Sequence, residues 1–456
     1  MFAEKRLCTK FLFGLLASLT IGCYQPAQAG NQALLELLKV LRDDGTISQQ
    51  AYEALQKAAL AEDTQEETSS VASSAAQPEK KPDESLEISF KGSGLRFESK
   101  SGKFAFRLGG RLMFDAAKYN DDSINLGSGA EVRRARLTWK GTLWNDWAFS
   151  ASVELAGDPE LRSTYIDYTG FSPIRLRFGN FKEPFGLNEL GSSNNTTFME
   201  RAMMTAFAPG RNIGFGVRTY GRDWTVNVGT FTQGASDEGE EDDGLGLTGR
   251  TTFAPVHTVD RTVHLGVEAS IRQPGDDDTI RFRTRPESHV TDVRLVDTGT
   301  IEEVETIFQL GLEAATSFGP LSLQSEYSVT ELERLNGLPD LKFDGWYAYA
   351  SWFLTGESRP YRFKDGVFGR VIPNSIVGEG GGGAWEIGVR YSNIDLTDED
   401  VIGGIEDNLT LGLNWYATPN IRFMANYIKV LDLNRPGDTA DDDKPTIFQI
   451  RGQATF

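Results

Sequence analysis

The sequence predicts an all-β protein: an antiparallel transmembrane β-barrel of about 16 strands, preceded by a short N-terminal α-helical hairpin and a disordered linker. Three observations carry that expectation. The N-terminus reads as a secretory leader. From Leu86 to Phe456, stretch after stretch alternates apolar with polar side chains, the period-2 mark of a strand with one apolar face. The polar partners are often charged, so strands that close on themselves would enclose water rather than a packed core. Composition agrees. Hydrophobic residues make up only 39%, Gly reaches 48 and Phe 28, and after the leader no run is apolar enough for a transmembrane helix.

In the leader, Lys5, Arg6 and Lys10 precede the apolar run 11–23 and an A-x-A cleavage site at Ala27-Gln28-Ala29, which makes residues 1–29 a signal peptide. Both cysteines, Cys8 and Cys23, lie within it. The mature chain then has no thiol, which excludes disulfide frameworks and zinc-cysteine sites. Residues 1–29 carry a net charge of +2, so their removal takes the formal charge from −19 to −21. So acidic a chain argues against nucleic acid as a partner.

Residues 30–62 read as a periplasmic helical hairpin. Leu34, Leu35, Leu38 and Leu41 form a stripe at helical spacing, Asp44-Gly45 ends the first helix, and Ser48 caps a second with Ile47 against Tyr52. Residues 63–85, polar and Pro-containing, read as a disordered linker.

Residues 86–456 carry the barrel. Phe104, Phe106, Leu108, Leu112 and Phe114 alternate with Arg107, Arg111 and Asp115; Ala135, Leu137 and Trp139 alternate with Arg134, Arg136, Thr138 and Lys140. In the last strand Phe448, Ile450, Ala454 and Phe456 oppose Gln449, Arg451, Gln453 and Thr455. Short turns alternate with long polar loops, several of them acidic (237–243, 276–278, 398–400, 441–443). An even strand number puts both ends in the periplasm. One connection stands out. Between an alternating run at 174–178 and another at 213–217 lie roughly 30 residues without a regular period, far beyond a usual hairpin loop. They are half apolar (Phe185, Leu187, Phe198, Met199, Met203, Met204, Phe207), which suits a segment packed inside the lumen. The inward-folded third loop is therefore placed at 182–211.

The segment GNFKEPFGLNELGSSNNTTFMERA (179–202) resembles the third-loop signature of the phosphate-selective porin O/P family. SWFLTGESRPYRFKDGVFGRVIP (351–373) and LGLNWYATPNIRFMANYIKV (411–430), with the terminal Phe, agree in the same order. The resemblance implies a passive outer-membrane diffusion channel of a Gram-negative bacterium, a homotrimer that takes small anionic solutes such as phosphate. It also implies Phe456 as the signal read by the barrel assembly machinery.

On the residues themselves, Arg107, Arg111, Arg134, Arg136, Lys140, Arg175, Arg177 and Arg218 would line the pore as an anion path. Lys182, Glu183, Glu200, Arg201 and Arg211 would form the constriction loop, and Arg281, Arg283 and Arg285 a row of guanidiniums on the fifth loop. Glu268, Glu313, Glu326 and Glu386 face inward on later strands, so an acidic wall is expected opposite the basic one. Family members carry arginine ladders with lysines at the constriction. This segment supplies only Lys182, beside Glu183, Glu189 and Glu200, which points to a modest anion preference. A non-selective general porin, or a barrel anchoring an envelope-tethering helical segment, remains as an alternative. No HExxH, G-x-S-x-G or Walker loop occurs, and His257, His264 and His289 are scattered; no enzyme, cofactor or metal site is read.

Overall fold

The computed structural model describes residues 39, 42, 52, 85–90, 94–232, 244–275, 277–437 and 441–456. The leader, linker residues 63–84, the run 237–243 and all but three residues of the helical hairpin lie outside the described residues. The chain divides into two units, Met1–Lys81 and Pro82–Phe456.

The second unit is a closed antiparallel barrel. Its wall strands are β1 (Ala105–Asn120), β2 (Gly129–Leu143), β3 (Trp147–Glu154), β4 (Thr164–Tyr168), β5 (Arg175–Lys182), β6 (Arg211–Tyr220), β7 (Trp224–Phe231) and β8 (Leu245–His257). They continue with β9 (Arg261–Gln273), β10 (Val304–Phe318), β11 (Leu321–Arg334), β12 (Leu341–Phe353), β13 (Ala384–Asp398), β14 (Val401–Tyr416), β15 (Ile421–Asn434) and β16 (Thr446–Thr455). Each pairs with its sequence neighbour, and β16 returns to β1 in a register from Thr446↔Asn120 to Thr455↔Arg111. The 16 strands thus leave no wall edge. A hairpin, Leu86–Phe90 with Leu95–Ser99, pairs onto the lower half of β1.

Alternation sets the faces. Phe114, Val132, Phe178, Phe215, Leu265, Leu312, Ile387, Leu411 and Phe448 are exposed on the outside, where lipid accepts them. At the end holding the short turns, Trp144, Trp147, Trp224, Trp352 and Trp385 are exposed as well, and Trp385 and Trp415 stack at 5.5 Å. This is the aromatic girdle of a membrane interface.

Short turns such as 144–146, 221–223, 258–260 and 319–320 occupy that end, which the even strand number makes periplasmic. Long connections occupy the other, as the sequence pattern expects, with two departures. The outer connection between β13 and β14 is only residues 399–400, and the periplasmic connection 354–383 is long. The second has a packing reason. It folds into the lumen, where Val367 and Phe368 meet Leu187 of the third loop and Ala315 of the wall.

The outer half of the lumen is filled on one side. Met203, Met204 and Phe207 of the third loop, in a short 3-10 turn, pack with Phe282, Leu295 and Val296 of the fifth loop against Phe343, Tyr347 and Ile428 of the wall. That cluster accounts for Met203, Met204 and Phe207 of the third loop and for the buried apolar residues of the fifth.

Candidate functional site

What the inward loops leave open is a cavity of ≈ 820 Å³ against β1–β8. It is lined by thirteen arginines and two lysines, against Glu189 and Asp365 as its carboxylates. Alternation alone places most of the cations: a residue two positions along a strand returns to the same face.

Of the expected pore residues, Arg111, Arg134, Arg136, Lys140, Arg175, Arg177 and Arg218 line this cavity. Arg107 does not; it is exposed at the periplasmic end of β1, opposite Lys140. Lys182, Arg201 and Arg211 of the constriction group line it too. Glu183 and Glu200 do not. Glu183 follows the last residue of β5, and its side chain turns against the wall instead of into the opening. There it is 1% exposed and takes Asn212 Nδ2 at 2.6 Å together with Thr248 and Arg272. Glu200 receives Arg133 through Nε and Nη2, both at 2.9 Å, and Arg451 Nη2 at 2.6 Å.

The expected guanidinium row on the fifth loop is broken. Arg285 lines the cavity, but Arg281 is clamped on Asp297 at 2.7 and 2.6 Å and Arg283 is exposed. Phe282 between them is buried in the loop cluster, which turns its neighbours outward. The acidic wall also needs correction. Glu268, Glu313, Glu326 and Glu386 do face inward, but at 1%, 3%, 2% and 0% exposure they lie beneath the folded loops and take no part in the lining.

Six of these cations stand in opposed pairs. Register places Arg111 across from Arg136, Lys182 across from Arg211, and Arg175 across from Arg218. Like charges directly opposite destabilise a sheet, so a partner must compensate. For some the partner is a carboxylate: Arg136 donates to Glu154 at 3.0 and 2.9 Å, Arg177 to Asp167 at 2.7 and 2.8 Å, and Arg218 to Asp365 at 2.7 Å. Arg111 and Arg211 bond to hydroxyls, Ser193 Oγ at 2.8 Å and Ser163 Oγ at 3.1 Å.

Glu189 sits in the first turn of the third loop, α1 (Leu187–Leu190). It meets Lys182 Nζ at 2.9 Å and Arg201 Nε at 3.1 Å. Burial opposes its charge, but Arg201 and Lys182 outweigh that and hold its carboxyl down at about 2. Burial likewise works against charged Glu200, and Arg133 and Arg451 hold it well below the usual carboxylate range. Arg201 also donates to the carbonyls of Asn188, Glu189 and Gly191, so it braces the loop while facing the opening.

Several lining residues escape sequence reading: Arg133, Arg162, Arg250, Arg362, Asp365 and His289. Arg133 left a signal. The β1–β2 register shifts between Met113 and Phe114, an extra residue that lets adjacent Arg133 and Arg134 both reach the lumen. Two successive arginines in an otherwise alternating strand are what such a bulge looks like in sequence. The histidines stay apart, each on its own carboxylate: His257 with Asp223, His264 with Glu313, His289 with Glu131.

A closed 16-stranded barrel with an apolar outside, an aromatic girdle and a charged lumen narrowed by an inward loop defines an outer-membrane porin of a Gram-negative bacterium, and this fold points to a channel. The family model for phosphate-selective porins O and P matches residues 106–456, and the chain belongs to that family. Porin O of Pseudomonas aeruginosa is 29% identical over 394 residues, 77% of this chain and 88% of that one. A Caulobacter vibrioides protein is 32% identical over 376 residues, 78% of this chain and 74% of its own. Among solved structures, a loop-deletion mutant of OmpT from Vibrio cholerae superposes with a TM-score of 0.51 at 13% identity, covering 78% of this chain and 100% of that one. An anion-selective porin from Comamonas acidovorans gives 0.50 at 16%, covering 77% and 100%. At such identities these two show the fold alone.

Proposed function

We propose that this porin passes small anions passively and prefers phosphate-like ions. The opposed cation pairs carry the reading, above all Arg111 with Arg136 and Lys182 with Arg211 beside the third loop. A solute with several anionic oxygens bridges two such cations, with paired hydrogen bonds to each guanidinium, which relieves the repulsion built into the register. Conduction also requires that each step release its ion. Glu154, Asp167, Glu189 and Asp365, spread along the path, compete for the same cations and keep binding shallow. The family's description points the same way.

The test is the reversal potential of the purified channel in a salt gradient, first with chloride, then with phosphate. Anions should be preferred, and Arg134→Ala with Arg136→Ala should shift selectivity toward cations. A potassium preference unmoved by the double substitution would overturn the reading.

A homotrimer is supported by the uneven wall. β3, β4, β5 and β7 have 8, 5, 8 and 8 residues, whereas β10 to β15 have 13 to 16. Eight tilted residues rise about 19 Å, short of an apolar band about 25 Å tall. Copies of the chain would cover that side. Residues 30–85 serve as a periplasmic segment that the barrel does not need for insertion, and Phe456 as the mark read by the assembly machinery. Deleting 30–85 and substituting Phe456→Ala, each followed by heat-modifiable migration, separates the two roles. The first should keep the folded band and the second should weaken it.

A further inference from the structure

The lumen wall away from the cavity carries three carboxylates in one place. Register puts Glu313 of β10 directly opposite Glu326 of β11, and Glu268 of β9 lies diagonally beside them. One oxygen from each falls within 4.8 Å of the others. All three are buried, and like charges opposed across strands destabilise a sheet.

The surrounding hydrogen bonds do not offset this charge. Arg250 Nε and Nη2 satisfy Glu313 at 2.8 and 2.7 Å. His264 Nε2 stands 2.8 Å from the same carboxylate with Tyr361 Oη 2.7 Å from Nδ1, contacts that a neutral ring meets by donating to one and accepting from the other. Glu326 Oε1 takes the Asn188 N–H at 2.8 Å and the Tyr347 hydroxyl. That leaves three carboxylates facing one guanidinium. Two observations separate the cluster from an ordinary acidic patch. Both oxygens of Glu268 and Oε2 of Glu326 are buried without a hydrogen-bond partner, and Glu268 is 1% exposed. Glycines make the room: a β-carbon on Gly311 would overlap Glu268 Oε1, and one on Gly266 would overlap Glu313 Oε2.

We propose that Glu268, Glu313 and Glu326 bind one divalent cation of the calcium class as a structural site inside the barrel wall. A hard cation takes oxygen ligands at about 2.3–2.6 Å in flexible geometry, and the span between these oxygens fits one ion among them. A charge of +2 balances what Arg250 leaves over. The site also has a mechanical consequence, because Glu326 holds the backbone N–H of Asn188 in α1. The cation therefore fixes the root of the third loop from behind. The site stands whether or not the channel prefers anions.

The experiment uses the full-length porin in detergent, dialysed against calcium chloride, passed through a chelating resin and assayed for metal by mass spectrometry. Wild type should retain one calcium per chain, and E268Q should lose it. Asp441→Asn with Asp442→Asn, on the outer surface, should leave the retained ion in place. Stripping wild type by prolonged chelation should lower the temperature at which the heat-modifiable band unfolds, and calcium should restore it. E268Q should not respond to calcium. Wild type without a retained ion, or the same content in E268Q, would overturn the proposal. A band whose unfolding temperature ignores chelation would do the same and assign the neutralising charge to protons.

Discussion

Arg111 and Arg136 face each other directly across β1 and β2, beside the third loop. They differ in what holds them. Arg136 is paired to Glu154, while Arg111 rests on Ser193 Oγ of the third loop. Removing either cation takes one positive charge from the narrow part of the path. Removing Arg136 also takes from Glu154 its hydrogen-bonded guanidinium and leaves it only Arg134 as a cationic partner, at 3.8 Å. Arg111→Ala should therefore lower the chloride-to-potassium permeability ratio by about 1 kcal/mol, roughly fivefold, and Arg136→Ala by more. Reversal potentials in a salt gradient decide it; equal effects would remove Glu154 from the account.

The charge of Glu189 predicts a pH profile. Its carboxyl is held at about 2 against an ordinary 4.5, so the group is depressed in the folded state. Its stabilising contribution is complete above the ordinary value and fades as pH falls from about 4.5 through about 2. The difference in unfolding temperature between wild type and Glu189→Gln should be constant above pH ~5 and shrink below it. At neutral pH the same substitution removes the carboxylate beside Lys182 and Arg201 and should raise anion preference. A difference that persists unchanged at pH ~2 would mean that Glu189 acts by shape rather than charge.

Much of this was legible in sequence, for a definite reason. Period-2 alternation fixes which side chains face the lumen, so Arg134, Arg136, Arg175 and Arg177 could be placed one residue at a time. The third loop is placed where alternation lapses between two strand runs; in the structure the flanking strand ends, Lys182 and Arg211, pair with each other. Depth beneath a loop was not legible. Glu183, Glu268 and Glu313 have the right parity for the lumen or its rim, yet the loops that bury them are held by contacts far apart in sequence, such as Asn188 on Glu326. Segment 354–383 reads as polar and Gly-rich, and nothing local says that it enters the barrel and brings Arg362 and Asp365 to the opening. The bulge at Arg133 shifts a single residue and moves a cation from lipid to lumen.

Glu200 ties the third loop to two strands at once, through Arg133 of β2 and Arg451 of β16. Arg451 keeps Asp115 as a second partner at 2.7 and 2.6 Å, but Arg133 has its two guanidinium bonds on Glu200 alone. Glu200→Gln therefore strands a largely buried cation and should cost roughly 3 kcal/mol. The effect should appear as a lower unfolding temperature and as current noise from a loosened loop. Glu200→Asp, which keeps the charge, should recover part of both. A quiet, fully stable Glu200→Gln channel would show that the apolar cluster around Phe207 holds the loop unaided.

Asp365 reaches the lumen from the periplasmic side and takes Arg218 at 2.7 Å and Arg362 at 2.8 Å. Burial opposes its charge, and Arg218 and Arg362 keep it below the ordinary carboxylate value, so it stays an anion throughout the working pH range. An anion leaving the channel must compete with this carboxylate for the same guanidiniums. A strongly bound polyoxyanion meets that competition more than chloride does, because it uses paired hydrogen bonds. Asp365→Asn should thus deepen the last site. Chloride conductance should change little, while phosphate should stay longer and block chloride current at lower concentration, by roughly tenfold for about 1.4 kcal/mol. Titrating phosphate into single channels carrying chloride measures this. If Asp365→Asn left the blocking concentration where it was, the carboxylate would be bracing segment 354–383 without setting the rate of exit.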